Sequence, residues 1–394
     1  MKYRLFSKMD WQISVLGFGA MRLPILNGKT DAIDEPLATR MLHLGIDHGI
    51  NYLDTAYTYH EGQSEPFVGR ALQGGFRQKV RLATKMPTWL TKTRSDFDKF
   101  LGEQLQRLQT DHVDLYLLHA LSNLRWKSLQ ELDVCEWAEK AVASGRIGCL
   151  GFSFHDEFPV FKKILDDYDG WSFCQIQYNY MDINEQAGTN GLKYAASKGL
   201  SVVVMEPLLG GKLAVLPESI QEIFNSAPVK RSPADWALQW VWNQPEVTLA
   251  LSGMSLMQHV EENLVSAEKS STGSLTGDEQ ELITRVRLKL KEAYPIPCTK
   301  CLYCMPCPNG VDIPRNFDVF NKGAGMDLWD SARFRYGQIP PGEIAEACID
   351  CGECETKCPQ SIHISDWMPQ IHDVLGLGKP FNKQFHPGDQ ASPK

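Results

Sequence analysis

The sequence predicts an α/β fold: a (β/α)8 TIM barrel followed by a smaller, mainly helical domain rich in cysteine. Three observations carry this. Through roughly the first 270 residues, eight short apolar runs alternate with eight helix-like stretches, the arithmetic of a βα barrel. Several runs, such as VDLYLLH and LSVVVME, are almost continuously apolar, as strands buried on both faces require. Finally, eight of the eleven cysteines fall between Cys298 and Cys358.

Taken in order, Arg4–Phe6 and Trp11–Ile13 read as a hairpin across the barrel bottom. The strands follow at Val15–Gly17, Asn51–Asp54, Val80–Lys85, Val113–His119, Ile147–Phe152, Phe173–Tyr178, Ser201–Glu206 and Val247–Ser252. Helices are expected at Pro36–His48, Ser64–Gln73, Asp96–Leu108, Ser128–Ser144, Asp156–Tyr168, Asn190–Lys198, Pro233–Trp242 and His259–Val265. An open doubly wound sheet fits less well, because the unit count is eight and the first strand is followed only by G-x-G, not G-x-G-x-x-G. The polar stretch KSSTGSLTG marks a linker, and Thr276 stands ready to cap a helix from Asp278 to about Tyr294. The expected domains are therefore a barrel over 1–275, a connecting helix and linker over 276–297, a cysteine domain over 298–375 and a flexible polar tail over 376–394.

Composition narrows the function. A net charge of −8 disfavours a nonspecific nucleic-acid binder. No apolar run approaches the ~18 residues of a membrane helix, and the N-terminus lacks the apolar core of a signal peptide. A cytoplasmic protein with neither nucleic-acid nor membrane partners is expected, and there a cysteine cluster reads as metal ligation rather than disulfides.

The cysteine runs are Cys298-x2-Cys301-x2-Cys304-x2-Cys307-Pro308 and Cys348-x2-Cys351-x2-Cys354-x3-Cys358-Pro359. The second has the bacterial ferredoxin spacing, in which the fourth cysteine ligates the other cluster of a pair. On that logic one 4Fe-4S cluster takes Cys298, Cys301, Cys304 and Cys358, and the other takes Cys348, Cys351, Cys354 and Cys307. The shorter last gap of the first run weakens the Cys307 assignment. A single cluster, and four-cysteine zinc sites, are the alternatives. Cys135, Cys149 and Cys174 read as ordinary core residues.

TIM-barrel sites lie at the C-terminal ends of the strands. There the sequence offers Asp54, Tyr59 in the following loop, Lys85 and His119. Each alone is unremarkable: an Asp that caps, a solvated Lys, a structural His. Together on three successive strands they form a specific set. Carbonyl reduction needs a proton donor, and a lysine beside a tyrosine would lower the phenol's pKa. Asp54 would fix the lysine, and His119 would orient the carbonyl oxygen.

Over residues 10–265 the chain resembles the aldo/keto reductases, on LGFGAMRLP, DTAYTYHEGQSE, ATKMP, DLYLLHAL, GRIGCLGFSFH and SGMSLMQHVEENL. With VMEPLLGGKL and His60 it is similar to the branch carrying a C-terminal 4Fe-4S ferredoxin-type domain. The resemblance implies a catalytic tetrad of Asp54, Tyr59, Lys85 and His119 and an NADP or NAD cofactor. It also implies cofactor contacts from Gly19, Met21 and Arg22, and from Ser153 and Gln175 at the nicotinamide carboxamide. Met205 stands where an aromatic commonly stacks, and Phe154 where many relatives have Asn. Pro207, Leu208 and Gly210 would line the pyrophosphate, and Gly253, Met254, Gln258, Glu262 and Asn263 the adenosine end. That last segment offers only His259 as a basic partner for a 2′-phosphate, so NADP and NAD both stay open.

Three functions follow: a nicotinamide-dependent reductase of a small carbonyl compound, or dehydrogenase of the matching alcohol; an electron-transfer oxidoreductase working with a ferredoxin-type partner; or a non-catalytic redox sensor. The intact tetrad argues against the last. A hydride carries two electrons and each cluster takes one; the sequence shows no convincing flavin motif to split the pair, although short loops could hold one, and this favours the first. Loops Pro87–Thr91 and Leu121–Lys127, with Trp89 and Trp126, are the candidate substrate walls.

Overall fold

The computed structural model describes residues 1–6, 9–326, 328–385 and 387–388. The end of the expected tail, 389–394, lies outside them. The chain divides into two compact units, Met1–Leu208 with Ala234–Gly277, and Leu209–Pro233 with Asp278–Lys394.

In the first unit, a hairpin of β1 (Tyr3–Phe6) and β2 (Trp11–Ser14) pairs antiparallel. The eight strands that follow are β3 (Leu16–Gly19), β4 (Tyr52–Asp54), β5 (Arg81–Met86), β6 (Val113–Leu121), β7 (Ile147–Phe154), β8 (Phe173–Gln177), β9 (Ser201–Met205) and β10 (Val247–Ser252). All pair in parallel and in sequence order, and β10 returns to β3 to close the barrel. Each expected strand is present, with ends shifted by a few residues.

Tyr52, Leu115, Leu117, Phe173, Val203 and Leu249 fill the barrel interior, and Phe6 and Ile13 of the hairpin join the same cluster. Space there is tight. A Cβ at Gly151 would come within 2.5 Å of the Phe173 ring, so only glycine leaves room for that aromatic.

Along the chain the helices are α1 (Glu35–Asp47), α2 (Ser64–Ala71), α3 (Ser95–Leu108), α4 (Asn123–Glu131), α5 (Val134–Ala143), α6 (Phe158–Asp167), α7 (Gly188–Ser197), α8 (Glu218–Asn225), α9 (Pro233–Trp242) and α10 (Met257–Glu268), of which α8 falls in the second unit. Asp34 caps α1 by accepting from Leu37 N at 3.1 Å. Two sequence expectations need correcting. The single helix over Ser128–Ser144 is two, because Asp133 adopts a left-handed φ of 56° between α4 and α5. The loop over Leu121–Lys127 is largely helix, and Trp126 is no pocket wall. It is buried against Trp171, and its Nε1 donates to Asp167 Oδ2 at 2.8 Å. Helix α8 was not anticipated.

The second unit contains α11 (Gly277–Ala293), α12 (Ile313–Met326), α13 (Trp329–Tyr336) and α14 (Ile364–Ile371). Its core is Ile296, Val311, Ile313, Phe317, Phe320, Ile362, Ile364, Trp367, Met368 and Ile371. The segment Leu209–Pro233 belongs to this unit: Lys212 Nζ donates to Ile296 O, and Arg231 pairs with Glu279. In the stretch after Gly376 most described residues are exposed, and two aromatics are partly buried. Phe381 meets Phe320 edge-on, and Phe385 meets Trp367. Its polar, Pro/Gly-rich composition conceals two aromatic anchors. Among the described residues no helix is long and apolar enough to cross a membrane.

Candidate active site and cysteine centres

Strand ends β4, β5 and β6 bring the four expected residues together. Lys85 is fully buried, and its Nζ donates to Asp54 Oδ1 at 2.6 Å, to Thr55 O at 2.9 Å and to the Tyr59 hydroxyl at 3.1 Å. The His119 ring lies edge-on to Tyr59, 5.9 Å between centroids, and the Trp89 ring is 5.0 Å from His119. His119 Nδ1 and Asp54 Oδ2 are buried without a hydrogen-bond partner among the described residues.

The loop carrying Tyr59 is held from outside. Leu23 N donates to His60 Nε2 at 3.2 Å, so the ring proton sits on Nδ1 and is donated to Thr30 O at 2.7 Å. His60 and Glu61 both take left-handed φ values, 51° and 54°, and Glu61 accepts from Thr30 Oγ1. Beneath the site, buried Glu65 accepts from Thr84 Oγ1 and Gln104 Nε2, and Gln104 also donates to Lys85 O. The glutamate–glutamine brace was missed from sequence because nothing local distinguishes it from helix-surface residues.

The electrostatics correct one expectation. Burial, aided by Asp54 and Glu206, pushes the Tyr59 phenol well above its ordinary value, against a smaller opposing effect of Arg22. The net direction is thus up, not down, and Tyr59 is a protonated donor at neutral pH. Burial lowers the Lys85 ammonium and raises the Asp54 carboxyl, and each opposes that shift in the other. Burial, followed by the charges of Lys85, His155 and Arg125, holds His119 well below its usual range, so its imidazole is neutral.

The residues expected around a nicotinamide dinucleotide are placed as follows. Gln175 Oε1 is buried without a partner, while its Nε2 reaches Met205 Sδ at 3.5 Å. Ser153 Oγ accepts from Ala120 N at 2.7 Å. An orphan amide oxygen beside a serine hydroxyl suits a carboxamide. Phe154 packs on Phe152 and Phe161 in the core, which accounts for the missing asparagine there. A Cβ at Gly19 would approach Ser252 O at 3.3 Å, and one at Gly253 would approach the Arg22 side chain at 3.2 Å. Asn263 Nδ2 donates to Ser252 Oγ, and Gln258 Nε2 to Glu262 Oε1. Met254 is buried in the core, and Met21 is half-buried. Pro207 and Leu208 end the first segment of the barrel unit, whereas Gly210, with a φ of 64°, belongs to the second unit.

All eleven cysteines are free thiols. The eight of the second unit line two cavities. One has Cys298, Cys301, Cys304 and Cys358 in its wall; the other has Cys307, Cys348, Cys351 and Cys354. Lys300, Leu302 and Asp350 take left-handed φ values of 55°, 67° and 54°, coiling the chain tightly between cysteines. Lys300 N donates to Cys298 Sγ at 3.4 Å, and backbone N–H groups of Asp350, Gln360 and Ile362 reach Cys348 and Cys358. Thiols around a hollow, with amides pointing at sulfur, fit an iron–sulfur cluster, which would bind them as thiolates. A zinc site asks for thiols closing on a single point; among the described residues no three His, Cys, Asp or Glu side chains gather that way. Cys149 and Cys174 are buried core residues and Cys135 is half-buried, as expected.

The aldo/keto reductase family model matches residues 15–274, more than half of the chain. The chain belongs to the aldo/keto reductase family. A 4Fe-4S dicluster domain matches residues 297–362 of this reductase. Methylglyoxal reductase YeaE of Escherichia coli is 27% identical, covering 68% of this chain and 88% of that protein. L-galactose dehydrogenase of Arabidopsis thaliana is 26% identical over 73% of this chain and 94% of its own length. Among solved structures, aldo-keto reductase AKR11C1 from Bacillus halodurans in its holo form is 29% identical, with a TM-score of 0.61 over 73% of this chain and 96% of that one. An aldo-keto reductase from Klebsiella pneumoniae in complex with NADPH is 25% identical, with a TM-score of 0.60 over 73% and 95%. This aldo/keto reductase is therefore an oxidoreductase of that type with a C-terminal 4Fe-4S domain.

Proposed function

We propose that this aldo/keto reductase reduces a small aldehyde or ketone, or oxidises the matching alcohol, with NADP or NAD, and carries two 4Fe-4S clusters. The observation that carries the reading is buried Lys85 bonded at once to Asp54 and Tyr59 at the strand ends. A bound nicotinamide would supply the hydride, held by Ser153 and Gln175 at its carboxamide, by Gly19, Met21 and Arg22 along its length, and by Gly253, Gln258, Glu262 and Asn263 at the adenosine end. Tyr59 donates its proton to the oxygen that becomes the alcohol. Lys85, 3.1 Å from the hydroxyl, stabilises the phenolate left behind. Asp54 keeps Lys85 charged and in place. Neutral His119 holds the carbonyl oxygen near Tyr59. Cys298, Cys301, Cys304 and Cys358 would hold one cluster, and Cys307, Cys348, Cys351 and Cys354 the other. Free thiols throughout fit a cytoplasmic location.

Tyr59→Phe tests the reading. Turnover of an aldehyde that the wild-type protein reduces should fall by about 10²–10⁴-fold with circular dichroism unchanged; full retained turnover would remove Tyr59 from the acid role.

Exchange of electrons with a ferredoxin-type partner is the second reading, favoured by the exposure of Cys351 at its cavity. Anaerobic addition of NADPH or NADH without substrate separates the two. Prompt reduction of the clusters, seen by EPR, supports electron transfer. Clusters that only dithionite reduces leave the barrel to work alone.

A further inference from the structure

Behind the tetrad, a second buried carboxylate takes no part in the chemistry described so far. Glu65 stands at the start of α2 beside Ser64, and both side chains are fully buried. Glu65 Oε1 accepts from Thr84 Oγ1 at 2.6 Å and from Gln104 Nε2 at 2.7 Å, and Oε2 accepts from Arg107 Nη1 at 3.4 Å. Hydroxyl, amide and guanidinium all donate, as an ionised carboxylate, which only accepts, requires.

Two threads lead from this carboxylate to the two sides of the Lys85–Tyr59 contact. On one side Gln104 Nε2 also donates to Lys85 O at 3.0 Å, while Gln104 Oε1 accepts from the Tyr116 hydroxyl at 2.7 Å, which fixes the amide's orientation. On the other side Arg107 Nη1 donates to Tyr57 O at 3.4 Å, and its guanidinium lies 4.1 Å from the Tyr57 ring centre. Tyr57 shortly precedes Tyr59 in the same loop, and its hydroxyl donates to Glu103, on the helix that carries Gln104 and Arg107. Ser64 adds a shorter thread: its Oγ is 2.8 Å from Thr55 Oγ1, and Thr55 O accepts from Lys85 Nζ. A buried ion pair adds little net stability, because desolvation offsets the attraction. A carboxylate at this place therefore calls for a use other than holding the fold.

We infer that Glu65 is a positioning residue for the reaction, its carboxylate tying the β5 backbone at Lys85, through Gln104, to the loop of Tyr59, through Arg107. The inference rests on the reading of Tyr59 as proton donor and Lys85 as its partner. Charge acts in the same sense as geometry. Burial lowers the Lys85 ammonium, and Asp54 first, then Glu65, oppose that lowering. The titratable groups around Lys85 are Asp54, Tyr59, Glu65 and His119; those around Glu65 are Lys85, Arg107 and Tyr116. Without the Glu65 charge the ammonium loses its proton at lower pH, and the phenolate formed at Tyr59 loses its partner there too.

The test reads kcat, the Kd of NADPH and the basic limb of the pH profile, with p-nitrobenzaldehyde as substrate. Glu65→Gln keeps nearly the same shape and removes the charge. It should lower kcat by about ten- to a hundredfold, the range of a slightly misplaced catalytic pair, leave the Kd of NADPH unchanged, and move the basic limb down by about one pH unit. Arg107→Met, at a partly exposed position, keeps the carboxylate and cuts the thread to Tyr57. It should lower kcat by about tenfold without moving the basic limb down. An unmoved basic limb in Glu65→Gln, or a loss that appears only as weaker NADPH binding, overturns the assignment and leaves Glu65 a packing residue. If Glu65→Gln does not fold, Gln104→Met and Arg107→Met decide: a lowered kcat in both supports the two threads, and full kcat in either refutes them. Full turnover in Tyr59→Phe, or no reduction of p-nitrobenzaldehyde by the wild type, removes the reading of the tetrad instead. NMR of the isotope-labelled Lys85 Nζ, identified by its absence in Lys85→Arg, then decides without turnover. An ammonium lost at lower pH in Glu65→Gln supports the link from Glu65 to Lys85; an unchanged one refutes it.

Discussion

The tetrad of the barrel and the cysteines of the second unit are assembled on different principles. At the barrel mouth the side chains complete one another: Lys85 answers the charge of Asp54 and donates to Tyr59, while Gln104 and Glu65 brace the strand beneath. In the second unit the thiols face cavities and their sulfurs meet mainly backbone amides. One site is stabilised by its own hydrogen bonds; the other needs the group it holds. The difference teaches where each region should fail first.

Removing iron should have the largest effect. Anaerobic chelation is expected to loosen the second unit, because binding free energy at such a site is folding free energy. Limited proteolysis would then cut within 298–375 while a barrel fragment survives. A second unit that resists protease after complete iron loss would show that its core of Phe317, Phe320 and Trp367 suffices alone.

Lys85→Met probes the self-contained site. It leaves the Asp54 charge buried and unmatched, at a cost of about 3–5 kcal/mol in denaturant unfolding. Adding Asp54→Asn should recover most of that stability without restoring turnover. No recovery of stability would mean that the ion pair is not what Lys85 contributes.

Acid should weaken the barrel in a defined window. His155 is held near 4 and His119 is also lowered, so the unfolded chain takes up protons first as pH falls below about 6.5. Stability should therefore drop between about pH 6.5 and 4, by at most about 1.4 kcal/mol per unit for each histidine. His155→Gln should flatten this slope; an unchanged slope would show that His155 protonates as readily when folded.

The smallest effect is expected at the adenosine end. His259→Arg should raise the NADPH-to-NADH ratio of kcat/KM by about tenfold, since Arg pairs with phosphate through two bonds. No change would place the 2′-position away from this segment.

Much of this was legible before any fold was known. The tetrad could be read because barrel chemistry collects at strand ends, and Asp54, Lys85 and His119 each lie at or near one. The x2 cysteine spacing pointed to cluster ligation, although the shorter gap before Cys307 left its partners in doubt. In the structure Cys307 lines a cavity with Cys348, Cys351 and Cys354. Trp126 misled because its segment looked like a loop, and burial against Trp171 depends on residues far along the chain.

By itself the sequence determined the eight βα units, the strand-end residues and the two cysteine runs, because periodicity and spacing are local properties of the chain. Only the tertiary structure decided that the Tyr59 phenol is raised rather than lowered, that Asp133 breaks a helix in two, and that Phe381 and Phe385 anchor the described part of the tail. The reason is physical. Burial, charge and packing depend on neighbours that are distant in sequence, and only the folded chain brings them together.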